Sequence, residues 1–72
     1  MKFDRKIGDT VRWYWGNGSN RGRIIGKFDH PVSRTIEQLV VVKNGSTANP
    51  AYLVRLEDGS HVLRYGSEFC IN

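Results

Sequence analysis

The sequence predicts an all-β fold, a small five-stranded barrel made from one strongly bent antiparallel sheet. Three observations carry this expectation. Short runs rich in Val, Ile, Tyr, Trp and Thr alternate with clusters of Gly, Asn, Asp, Ser and Pro. No segment sustains the 3.6-residue apolar period of a helix. The second apolar run places Gly22 and Gly26 on one face, where missing side chains let a sheet bend sharply.

Taken in order, the expected strands are Thr10–Trp15, Arg21–Asp29, Thr35–Lys43, Ala51–Leu56 and His61–Tyr65. The breaks fall at Gly16–Asn20, at His30–Ser33, from Asn44 to Pro50 and at Asp58-Gly59. Pro31 and Pro50 both lie in breaks, since proline cannot donate to a ladder. Residues 1–6 read as a lead-in and 70–72 as a C-terminal end of a single domain spanning 1–72.

Asp58-Gly59 reads as a two-residue hairpin turn, whose central positions both need positive φ. Counting outward from it opposes Leu56 to His61, Val54 to Leu63 and Tyr52 to Tyr65, all on one core-facing side. Leu53, Arg55, Glu57, Val62 and Arg64 then fall on the half-solvated side. In the first hairpin, Val11, Trp13 and Trp15 share a face, and so do Gly22, Ile24, Gly26 and Phe28. Burying both sets together pairs Trp13 with Ile24, Trp15 with Gly22 and Val11 with Gly26. A one-residue slip would bury Arg23 beneath Trp13.

The chain has 72 residues and a net charge of +4, with one cysteine and two histidines. That is one domain with a modest core. Cys70 has no disulfide partner, and with His30 and His61 it falls short of a four-ligand zinc site. No cofactor is expected. The charged start Met1–Lys6 predicts no secretory leader, and the longest apolar run, Leu39 to Val42, is far too short to span a bilayer. A cytoplasmic monomer is the expectation. The cations are unevenly placed: residues 1–36 carry eight Lys/Arg against three Asp/Glu, residues 37–72 three against four.

Ile7-Gly8-Asp9-Thr10-Val11-Arg12-Trp13, Gly22-Arg23-Ile24, Asn44-Gly45-Ser46, Asn49-Pro50-Ala51-Tyr52-Leu53-Val54 and Ser67-Glu68-Phe69 together resemble the hypervirulence-associated TUDOR-domain family. The resemblance runs from about Ile7 to Phe69. It implies a Tudor-like (SH3-like) barrel and carries no ligand or catalytic residues with it. Where that family often has a histidine before its Ser-Glu stretch, this chain has Arg64-Tyr65-Gly66.

The chemistry-bearing residues point away from catalysis. His30, His61 and Cys70 lie in separate parts of the expected fold, so no nucleophile, base and orienting group come together. Gly16-x-Gly18 lacks the following helix that a phosphate loop requires. Tudor-like barrels are known for aromatic cages, but Trp13, Phe28, Tyr52 and Tyr65 are claimed by the expected core. What remains is a basic stripe on the outer face of the first hairpin: Arg12, Tyr14, Arg21, Arg23 and Lys27, with Tyr14 opposite Arg23. The sequence therefore reads first as a non-catalytic module for a protein or peptide partner. The alternative is a nucleic-acid-binding barrel that uses this stripe.

Overall fold

The computed structural model describes residues 3–70. Residues 1–2 and 71–72 of the expected lead-in and C-terminal end lie outside the described residues, as does the side chain of Trp15, expected on the core face. Six strands form: β1 (Thr10–Trp15), β2 (Gly18–Phe28), β3 (Pro31–Ile36), β4 (Leu39–Asn44), β5 (Ala51–Leu56) and β6 (His61–Tyr65). They make two antiparallel sheets, a four-stranded one in the order β1-β2-β5-β6 and a separate β3-β4 ribbon. The expected five-stranded barrel is thus corrected twice. The third run is a hairpin rather than one strand, and no ladder closes the two sheets into a barrel.

The extra hairpin turns at Glu37-Gln38, between the paired residues Ile36 and Leu39. Both central residues have positive φ, 51° and 70°, the pattern of a type I′ turn. Neither is the Gly or Asn that this turn favours, so the run from Thr35 to Lys43 reads as unbroken strand. Pro31, expected in a loop, opens β3, a position where its missing N–H costs no interior ladder bond.

Both expected registers shift, with different consequences. Trp13 lies opposite Asn20 rather than Ile24, because the first turn is only Gly16-Asn17 and Trp15 pairs with Gly18. Gly16 takes a φ of 59° there. This shift of four positions is even, so every side chain stays on its expected face as far as Ile24. In the last hairpin the shift is one. Gly59, at φ 88°, ends a three-residue loop, with its N–H donated to the Leu56 carbonyl and the Leu56 N–H donated to Ser60. This is a type I turn with a G1 bulge. Tyr52 therefore pairs with Arg64, and Tyr65 with Ala51. Tyr52 and Tyr65 stand on opposite sides of the ribbon, and the expected six-residue core face does not exist.

The real sheet packs on both sides. On one, Val11, Trp13, Ile24, Tyr52 and Val54 form the core with Phe69, and Leu56 and Val62 lean against it. On the other, Ala51 and Leu63 are fully buried and Phe28, Leu53 and Tyr65 half-buried, on the side where β4 lies against β6. The Asn44 N–H donates to the Tyr65 hydroxyl at 2.8 Å, tying the ribbon to β6. One extra residue in β2 connects the two sides. Ile24 pairs with Val54 but Gly26 pairs with Leu53, leaving Ile25 as a β-bulge that reverses the facing of everything after it.

The buried Tyr52 hydroxyl holds the lead-in, accepting from the Arg5 N–H at 2.7 Å and donating to the Phe3 carbonyl at 2.9 Å. Beyond a short 3₁₀ turn, Gly66–Glu68, the Cys70 N–H donates to the Arg12 carbonyl at 2.7 Å. That bond partly covers the free edge of β1.

Two outcomes follow from this packing. A Cβ on Gly22 would lie 2.5 Å from Val54 Cγ1 and 2.7 Å from the Arg55 carbonyl oxygen, whereas one on Gly18 meets nothing within 4 Å. Gly22→Ala should destabilise by about 1–3 kcal/mol through overpacking, and Gly18→Ala should not, as read from denaturant midpoints. Replacing Glu37-Gln38 with Asn-Gly should stabilise by about 1 kcal/mol, because side chains in the left-handed region carry a penalty of about that size per residue. An unchanged midpoint would exclude strain at this turn.

Candidate functional site

The residues on the outer face of β1, β2 and β5 follow from the ladder. Direct cross-strand partners share a side. Thr10 lies opposite Arg23, and Arg23 opposite Arg55; Arg12 lies opposite Arg21. Four arginines thus occupy neighbouring positions on three adjacent strands, whose backbones run about 4.8 Å apart. Tyr14 completes the block beside Arg12, opposite the small Ser19 and 75% exposed. Ile25, pushed outward at the bulge, is 40% exposed. An open groove of about 510 Å³ runs along this surface, lined among others by Thr10, Arg21, Arg23, Ile25 and Arg55.

Charge compensation on this face is sparse. Arg21 donates to Glu57 Oε1 at 3.0 Å, and both side chains are well exposed, so the pair contributes little to stability. Arg12, Arg23 and Arg55 make no ion pair with any described residue. Like charges directly opposite each other in a ladder destabilise it. The sheet accepts that cost twice, at Arg12–Arg21 and at Arg23–Arg55.

Of the expected stripe, Arg12, Tyr14, Arg21 and Arg23 are brought together, although Tyr14 faces Ser19 and not Arg23. Lys27 is not among them. The bulge at Ile25 turns it to the opposite side, where it pairs with Tyr52 and donates to Asp4 Oδ1 at 2.9 Å. Arg55 is the addition: its outward position was readable, but its place beside Arg23 depends on the β2–β5 register, which no local turn reports.

The other candidates disperse. Trp13 and Tyr52 both pack on Phe69 in the core, with ring centroids 6.0 and 5.6 Å apart. Phe28 and Tyr65, expected in that core, lie on the far side beneath Arg34 at 5.2 Å and Lys43 at 5.0 Å. Arg64, expected outside, reaches over the Trp13 ring at 5.8 Å. His30 is exposed beside Asp29, and His61 sits on β6 across from Arg55. Among the described residues no cluster of three or more His, Cys, Asp or Glu is placed to hold a metal ion. No described helix is long and apolar enough to cross a membrane.

The domain is thus a small antiparallel β fold, with the β3-β4 ribbon against β6 and a charged face left open on β1, β2 and β5. The chain belongs to the family described as hypervirulence associated proteins TUDOR domain, whose model matches residues 8–69. Tudor-type domains of this size are generally non-catalytic binding modules. Searches of curated proteins and of solved structures return no match.

The Asp4–Lys27 pair supplies a titration test of the bulge. Hydrogen bonding by Lys27, followed by its charge, holds the Asp4 carboxyl below its ordinary range, and the same bond raises Lys27. Asp4 thus adds stability above the ordinary carboxylate range that is lost as pH falls through its lowered value. Lys27 adds stability below the ordinary lysine range that is lost as pH rises through its raised value. Lys27→Ala should move the Asp4 titration, followed by NMR, up toward an ordinary carboxylate. An unmoved titration would place Lys27 elsewhere, back on the outer face.

Proposed function

We propose that this domain binds a nucleic-acid backbone through the arginine face of β1, β2 and β5. The observation that carries the reading is the direct opposition of Arg12 to Arg21 and of Arg23 to Arg55. A solvated face needs only scattered charges to keep a domain in solution. Stacked like charges work against the ladder they sit on, and a bound polyanion turns that repulsion into attraction. Guanidinium forks also suit phosphate, which they grip with paired hydrogen bonds.

The experiment is fluorescence anisotropy with a labelled oligonucleotide over a salt series. About three phosphate contacts, from Arg12, Arg23 and Arg55, predict a log–log salt slope of about −2 for a single strand and about −3 for a duplex. Arg23→Gln with Arg55→Gln should weaken binding by about tenfold or more for every sequence tested, while Lys27→Ala leaves it within about twofold. The same double variant should be more stable than the parent by roughly 0.5 kcal/mol at low salt, a gain that fades as salt screens the repulsion. No binding at low salt, or a double variant that binds as the parent does, rejects the proposal.

A protein or peptide partner, the first reading from sequence, draws support from a different surface. Leu39, Val40 and Val42 on β4 are 69%, 69% and 60% exposed, and no described strand pairs with the outer edge of β3. Exposed apolar edges of this kind accept an added strand. Capture of a partner from native lysate that survives nuclease and is lost on Val40→Lys would favour this surface. Capture that nuclease abolishes favours the arginines.

A further inference from the structure

Among the large residues of the arginine face, Tyr14 is the most exposed uncharged side chain, and charge does not explain that exposure. Its ring is 75% exposed, its cross-strand neighbour is Ser19, and no described ring or cation stacks on it. Every other tyrosine in the domain has its hydroxyl in a hydrogen bond and its ring against a neighbour: Tyr52 in the core, Tyr65 under Lys43. The ring of Tyr14 therefore stands on the sheet with a free π-face, next to Arg12 and on the same side as Arg21. Further along β2, the exposed Ile25 offers a second apolar contact about 20 Å away along the strand, counted from Ser19 at about 3.4 Å per residue. Between these two lie the arginines.

Resting on the backbone-binding reading above, we infer that the ligand is single-stranded nucleic acid, with one unpaired base stacked on Tyr14 and the following phosphates held by Arg12, Arg23 and Arg55. A duplex keeps its bases stacked on one another and presents only phosphates and groove edges, so it leaves Tyr14 unused. A single strand offers both things this face provides, a charged backbone and open base faces. The span from Tyr14 to Ile25 fits an extended strand of about four nucleotides, the short end of the range for single-strand-binding barrels. Stacking is indifferent to base identity, so weak sequence preference accompanies the selectivity for single strands.

The test compares labelled oligothymidylate about 12 nucleotides long with a duplex of the same length at one low salt concentration. The single strand should bind about tenfold tighter. Tyr14→Ala should erase most of that ratio while leaving duplex and heparin binding near the parent value, and Tyr14→Phe should retain it. Equal or tighter duplex binding, or a ratio unchanged by Tyr14→Ala, overturns the inference and leaves the arginine face as a plain backbone reader. Failure of single strand, duplex and heparin alike to bind overturns the underlying reading, and this inference with it.

Discussion

One added residue in β2 determines what each side of the sheet does. A regular strand of eleven residues would send Arg21, Arg23, Ile25 and Lys27 outward together, and Gly22, Ile24, Gly26 and Phe28 inward. The bulge at Ile25 breaks that alternation after Ile24. Upstream, Ile24 joins Trp13 and Val54 in the core and the arginines face out. Downstream, Gly26 and Phe28 turn toward the β3-β4 ribbon, and Lys27 turns to the lead-in. β2 thus lines two packed regions and one open face, as its neighbour β5 does with Val54, Leu53 and Arg55.

That arrangement spreads a small amount of apolar surface over two cores. Neither is large, and there is no disulfide among the described residues to reinforce them. Close approach partly compensates. Gly22 lets β2 and β5 come together where any side chain would strike Val54, and the buried Tyr52 hydroxyl turns the lead-in from a loose end into part of the fold. Hydrogen bonds of this buried kind matter because breaking them strands a polar group away from water, a cost of about 1–3 kcal/mol.

How much of this was legible in the sequence depended on whether an error was even or odd. Strands β1, β5 and β6 lie where their alternation put them. The first hairpin slid by four positions, yet Arg12, Tyr14, Arg21 and Arg23 stayed outside, since side chains repeat every two residues. The last hairpin slid by one, and Tyr65, Val62 and Arg64 all changed sides. Asp58-Gly59 supports either a two-residue turn or the end of a three-residue loop, and dipeptide chemistry does not choose between them. Here the Asp58 carboxylate, which accepts from the Ser60 N–H and hydroxyl at 2.9 and 2.6 Å, accompanies the longer loop. The Glu37-Gln38 turn was invisible for the opposite reason: its backbone needs residues that its sequence lacks.

The same reasoning explains why the site was half visible. Its β1–β2 part rests on local alternation, which tolerates a wrong register. Its β5 part rests on a long-range ladder between residues more than thirty positions apart, and only the fold reveals that Arg23 and Arg55 are neighbours. This distinction bears on function. A charge that is merely exposed can sit anywhere on a strand, and chance will often keep it apart from its like. Of two such oppositions on adjacent ladders, Glu57 eases the Arg12–Arg21 one by pairing with Arg21, and no described carboxylate pairs with Arg23 or Arg55. A fold this small has little stability to spare, and that uncompensated cost is the physical ground of the proposal that an anion neutralises this face.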